Sequence, residues 1–208
     1  MIDKFCTFLV DKMKKEMPEI DEEKAEVIMY GLQLIIGEIP KIFIALAISY
    51  LLGIFKYTLL TLLILMPYRS CSGGVHLKTH IGCIVSTTLF YAGIPLLAKS
   101  ILVSQNIEYI LALGIWIFGM IMVRLYAPAD TENLPILRKS ERKQKQILSY
   151  VMLTVGIITS IIIKNQTISN ILLFGNLIQS IMITRLVYKL AGSKYGYEVY
   201  QEELQQSS

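Results

Sequence analysis

Charge is scarce in this chain. Asp, Glu, Lys and Arg make up 17% of its 208 residues, where a soluble domain carries about 25%. With 54% hydrophobic residues and a mean hydropathy of +0.55, that shortage excludes an ordinary water-soluble globule and a disordered chain. Cysteine is scarce too, and three residues cannot staple a secreted disulfide scaffold. Neither sign of charge dominates. The formal net charge is only +4, and Lys and Arg sit scattered at the ends of apolar runs, so no nucleic-acid partner is expected. The first twenty residues hold four Lys and four acids, with no apolar run of signal-peptide length. There is no internal repeat, no low-complexity tract and no ATP-binding motif.

What the chain does have is a series of apolar runs, which predicts an all-α, polytopic transmembrane bundle. Ile2, Phe5, Leu9, Met13 and Met17 recur at spacings of three and four, the stripe of an amphipathic helix. Residues 1–20 therefore read as an interfacial helix ended by Pro18, or as one packed against the bundle. A second helix should start at Asp21, with Glu22 and Glu23 in the turn where the helix dipole favours acids. Glu38, Pro40 and Lys41 interrupt it. The run 42–55 is short of the roughly 20 residues a span needs, so it should borrow from before Pro40 and kink there. The run 57–67 is also short and leads into Tyr-Arg-Ser-Cys-Ser-Gly-Gly-Val-His, as a broken or re-entrant helix would. Runs 81–98, 107–123, 147–163 and 168–188 are long enough, or nearly so. The expectation is about six membrane segments in a single integral membrane domain covering 1–208.

Orientation follows from Lys and Arg in short loops. Residues 124–146 hold six of them, Arg124, Arg138, Lys139, Arg142, Lys143 and Lys145, and read as a basic cytoplasmic loop. Lys99 and Lys164 mark loops with one each. Counting spans outward places both termini, and the stretch 69–78, on the cytoplasmic side.

Both histidines and two of the three cysteines fall within thirteen residues: Cys71, His76, His80 and Cys83. Polar residues in membrane segments are expensive, and a cluster of them is a functional candidate. Two chemistries fit the region 67–83. In the first, a Cys–His pair does nucleophilic catalysis. An ordinary thiol, with a pKa near 8.5, is only a few per cent thiolate at neutral pH. A nearby imidazolium or a helix N-terminus favours the thiolate, and a shift of two units needs about 2.7 kcal/mol. Gly73 and Gly74 can break the preceding helix and leave Cys83 near the start of the next, where free amides could also hold an oxyanion. On one straight helix His76 and Cys83 would share a face but stand about 10 Å apart. Direct reaction therefore requires a break between them, with His80 as the competing base. In the second chemistry His76, His80 and Cys83, at i, i+4 and i+7, hold a metal in a membrane binding or transport protein. Leu77 stands where a zinc-protease helix would have its Glu.

The chain resembles the AgrB family (accessory gene regulator protein B), membrane cysteine endopeptidases of Gram-positive bacteria. The resemblance covers the whole chain in length and hydropathy order. It is most specific at Arg69-x4-Gly74-x-His76-x6-Cys83 and at Ala127-Pro128-Ala129-Asp130-x2-Asn133-x-Pro135. It implies Cys83 as nucleophile and His76 as base, with Arg69, Gly73 and Gly74 supporting them. It implies no metal and no cofactor. Pro128, Asp130 and Asn133 become candidate support or substrate contacts, and Asp130 could orient His76. Leu134 departs from the Lys expected in the second motif. The implied partners are an AgrD-like quorum-sensing propeptide, the bilayer of a bacterial cell and a second copy of the chain. The implied reaction removes the propeptide's acidic tail through a Cys83 thioester. A thiol or hydroxyl of the bound peptide then closes a thiolactone or lactone ring. The basic stretch 138–145 could attract the acidic tail.

Overall fold

Asp21 opens the first long helix as its sequence predicts, its carboxylate accepting the Lys24 N–H at 2.8 Å. The computed structural model describes residues 2–17, 20–77, 79–101, 103–132 and 135–206. Among them it is all-α and has no strand. In order come α1 (Ile2–Glu16), α2 (Glu22–Leu51), α3 (Phe55–Ser72) and α4 (His80–Thr88). A π-helical turn (Leu89–Gly93) joins α4 to α5 (Ile94–Ser100). Then follow α6 (Gln105–Tyr126), α7 (Lys139–Ile162), α8 (Gln166–Met182), α9 (Arg185–Leu190) and α10 (Gly196–Gln206).

Among the described residues, three helical stretches are long and apolar enough to cross a membrane: Ile81–Ser100, Gln105–Tyr126 and Lys139–Ile162. Their outward faces are apolar as well. Ile110, Leu113, Ile117 and Ile121 form an exposed line along α6, and Ile147, Val151, Val155, Ile158 and Ile162 another along α7. Large apolar patches are costly in water and ordinary in lipid. α3 and α8, of 18 and 17 residues, reach about 27 Å at best, slightly under the bilayer's hydrocarbon thickness. α2 stays helical through Pro40, so the short apolar run after it does borrow helix from before the proline.

The centre is built from α3, α6, α7 and α8, each packed against at least two of the others. Lipid offers helices no hydrophobic drive to associate, so small residues and buried polar groups must do it. A Cβ on Gly119 would lie 2.7 Å from Leu153, and one on Gly175 2.5 Å from Leu65. α8 carries the polar glue: Asn170, Asn176, Gln179 and Ser180 are all buried, and Asn170 donates to the carbonyls of Ala98 and Ile101 at 3.1 and 2.8 Å. α1 lies on α2, burying Cys6 and Val10 and leaving Phe5 and Phe8 exposed. The side of α1 turned to the bundle is thus one residue off the predicted stripe, whose Phe5 faces outward.

The basic stretch 124–146 is only partly a loop. Residues 139–146 form the first two turns of α7. Lys, Arg, Glu and Gln are good helix formers, and no Pro or Gly lies between 136 and 146. Cations at a helix N-terminus oppose its dipole. Glu141 offsets part of that cost through Lys145, at 3.6 Å.

Candidate active site

Two breaks in the helices meet at one end of the bundle. The first lies between α3 and α4. Ser72 ends α3, and Gly73 turns with φ 76° and ψ −157°, a region open only to glycine. The second is the segment 127–138 between α6 and α7. It runs against the first as a single parallel bridge between Gly73 and Ala129. Ala129 N–H donates to Ser72 O at 2.8 Å and Gly74 N–H to Ala129 O at 3.0 Å. A Cβ at Gly73 would lie 2.1 Å from Ala129 O, and one at Gly74 3.1 Å from the Arg69 guanidinium. The Gly-Gly pair is therefore needed for close approach on both sides.

After the turn residues 74–77 are not helical, and Thr79 caps α4. Its hydroxyl accepts Gly82 N–H at 3.1 Å and its carbonyl accepts Cys83 N–H at 2.9 Å. His76 thus lies in the non-helical segment and Cys83, buried, in the first turn of α4. The break that direct Cys–His chemistry requires is present. Two expectations change. The Gly82 and Cys83 amides are already used by the cap, which leaves His80 and Ile81 as the first-turn amides that Thr79 does not engage. The one-face alignment of His76, His80 and Cys83 does not form either, because the helix begins at His80; the His80 side chain lies outside the described residues.

His76 and Cys83 line one cleft of about 970 Å³. Arg69, Gly73, Gly74, Pro128 and Asp130 line it too, with Arg138 and Lys145 adding positive charge. Seven of the eight residues singled out in the sequence therefore meet here. The eighth, Asn133, lies outside the described residues, as does Leu134. Cys71 also borders the cleft.

Arg69 acts as a strut. Its guanidinium donates to Gln179 Oε1 and to Val75 O, both at 3.3 Å, and lies 5.4 Å from the Phe90 ring centre. Gln179 completes the tie: its amide donates to Ser72 Oγ at 2.8 Å and Gly73 O at 2.7 Å. Asp130 ties its own segment to α7 and to the start of α10. Its Oδ2 accepts Arg142 at 2.8 Å and the amides of Ile136 and Tyr197 at 2.9 and 3.2 Å; its Oδ1 is buried with no partner. None of these three bonds involves His76. Arg142 also donates to Pro128 O at 3.4 Å and lies over the Tyr197 ring at 4.4 Å. The Ala127–Pro128 bond is cis.

The C-terminal helices close the site from below. Tyr188 OH donates to the carbonyls of Ala129 and Asp130 at 2.9 and 3.1 Å. Ser193 Oγ donates to His76 O at 3.0 Å, which fixes the backbone that carries the imidazole. Tyr195 stacks on Tyr188 at 4.3 Å and donates to Ile183 O at 2.7 Å. Burial, helped by Tyr126, holds its hydroxyl well above the usual phenol range, so it remains a donor. Sequence reasoning missed Gln179, Tyr188 and Ser193, and read Arg142 only as charge of the basic loop. For Gln179 a signal existed, since it is an amide inside an apolar run.

The family model described as Accessory gene regulator B matches residues 6–183. Accessory gene regulator protein B of Staphylococcus aureus (strain bovine RF122 / ET3-1) is 32% identical over 187 residues, covering 90% of this chain and 94% of its own length. The protein of the same name from strain JH9 is 33% identical with the same coverage. An AgrB-like protein of Listeria innocua is 30% identical over 91% of both chains. No solved structure matches the chain.

Proposed function

The chain belongs to the accessory gene regulator B (AgrB) family, and from that premise we propose that it is a membrane-embedded cysteine endopeptidase which trims and cyclises an AgrD-like quorum-sensing propeptide. The observation that carries the reading is the cleft that His76 and Cys83 share beside the Gly73–Gly74 turn. His76 takes the Cys83 proton, and the thiolate attacks a peptide carbonyl. The C–N bond breaks, the nitrogen takes the proton back from His76, and the tail leaves as a free amine. The remaining acyl peptide is held as a thioester on Cys83 Sγ. A thiol within that peptide then attacks the thioester, its proton passing to Cys83 as the enzyme thiol departs, and a thiolactone forms; a hydroxyl gives the lactone. Thioester exchange is close to energy-neutral. A cleft that limits water favours ring closure over hydrolysis.

Arg69, Gln179, Gly73 and Gly74 hold the turn that presents His76. Arg138 and Lys145 at the rim attract the acidic tail. The reading places this single domain in a bacterial cell membrane with about six segments, both termini and the cleft in the cytoplasm. α1 lies at the inner interface, and a second copy of the chain is a partner.

The test is co-expression with candidate propeptides, followed by mass spectrometry for a hydroxylamine-sensitive adduct on Cys83. Wild type should carry the adduct. Cys83→Ala should lose both adduct and cleavage while still inserting, and His76→Ala should lose at least about a hundredfold in rate. Cys6→Ala and Cys71→Ala should be tolerated. Cleavage that survives Cys83→Ala would refute the mechanism.

A further inference from the structure

A second cavity, of about 270 Å³, adjoins the cleft. Arg69, Val75, Ser86, Thr87 and Tyr91 line both, so the two share a wall. The new cavity runs between α4 with its π-turn on one side and the α8–α9 corner on the other, where Met182, Val187 and Ala191 line it. Its relation to the thiol is set by helical register. Ser86 and Thr87 lie three and four residues after Cys83, and Phe90 and Tyr91 seven and eight after it. All of them are on the Cys83 side of the helix, one to two turns, or about 5–10 Å, further along the axis. The π-turn brings Phe90 and Tyr91 side by side into the interior, both buried, and such turns recur at functional sites.

The wall is apolar, with no acid in it. Its one charged group, Arg69, is already engaged by Gln179, the Val75 carbonyl and the Phe90 face. The volume exceeds the roughly 150 Å³ of an engineered apolar cavity that admits benzene. A phenyl or branched aliphatic side chain therefore fits.

We propose that this cavity is the acyl side-chain pocket: it takes the large apolar side chain of the peptide residue whose carbonyl is transferred to Cys83. The inference rests on the endopeptidase reading. Once that carbonyl is bonded to Sγ, its own side chain starts within a few bond lengths of the sulfur, and the apolar way out of the cleft leads along Ser86 and Thr87. A lipid acyl chain is the competing occupant. The wall it shares with the thiol's own cleft favours the peptide.

The experiment uses the full-length chain in membranes and the propeptide that gives the Cys83 adduct, made with Phe or Ala at the residue before the cleaved bond. Wild type should process the Phe form at least tenfold faster in kcat/KM, the scale on which apolar pockets discriminate. Ala191→Leu, which narrows the pocket away from the thiol, should cut the Phe form about tenfold or more and the Ala form less than threefold. Met182→Ala, which widens it, should raise the rate of a Trp form relative to the Phe form. If wild type shows no preference, or if each variant changes all forms alike, as a lipid-filled groove would give, the pocket assignment is overturned and the endopeptidase reading stands. If no propeptide forms a Cys83 adduct, both fall.

Discussion

At Gly73 the backbone combines φ 76° with ψ −157°, and the carbonyl oxygen of Ala129 occupies the place of a side chain. Two costs therefore add when a Cβ is introduced. The backbone region alone disfavours an L-residue by about 1–3 kcal/mol, and the Cβ would force the 127–138 segment off the turn, breaking the two backbone hydrogen bonds that join them. Gly73→Ala should destabilise the protein by at least about 2 kcal/mol and abolish processing. Gly114→Ala on α6, where a Cβ meets nothing within 4 Å, should be neutral or stabilising by up to about 1 kcal/mol. Thermal unfolding of both variants in detergent measures the contrast, and equal midpoints would refute it. The same scale shows what the sequence made legible. Asp21 caps a helix and Gly73–Gly74 ends one, so those roles follow from local spacing, whereas the contact of Gly73 with Ala129 does not. Gln179 meets Ser72 across 107 positions, and no local pattern names that partner.

Between helices, Asp130 in the segment that follows α6 is paired with Arg142 in the first turns of α7. The Asp130 side chain is fully buried and Arg142 is 23% exposed, so the pair sits where removing one partner is costly. Arg142→Met leaves a buried carboxylate without its cation and strips the carbonyls of Pro128 and Ile136 of their donor. The expected loss is about 3–5 kcal/mol. Asp130→Asn combined with Arg142→Met should be less harmful than Arg142→Met alone, because the unpaired charge is gone. A double-mutant cycle on unfolding free energy checks this, and strictly additive effects would exclude the coupling. The sequence pointed to Asp130 but left it between orienting His76, since both motifs were read as lying on one face, and beginning a loop turn. The carboxylate instead answers to a cation in α7. That cation was counted as loop charge, although helix propensity favours helix across 139–146. Element type outside the Gly-rich breaks was legible from hydropathy; which polar residue meets which was not.

For the whole molecule, the distribution of charge and apolar surface leads to a vectorial prediction. The cleft, the 127–138 segment and the basic first turns of α7 lie together at one end of the bundle, joined by Tyr188, Ser193 and Arg142. The exposed apolar lines along α6 and α7 run away from that end. The short connection 163–165 closes the far end of α7 and carries only Lys164. Lys and Arg near span ends are retained in the cytoplasm, so the end with the cleft should face inward and Lys164 outward. The test is cysteine labelling in a chain from which Cys6, Cys71 and Cys83 have been removed. With Lys164→Cys, a membrane-impermeant maleimide should label intact cells. With Ser140→Cys, at the start of α7, labelling should appear only after permeabilisation. The reverse pattern would put the cleft outside, away from a propeptide made in the cytoplasm, and the substrate would then have to cross the membrane before it met Cys83. Labelling of both sites in intact cells would mean that α7 does not span at all, and its outward line of Ile and Val would need another partner than lipid.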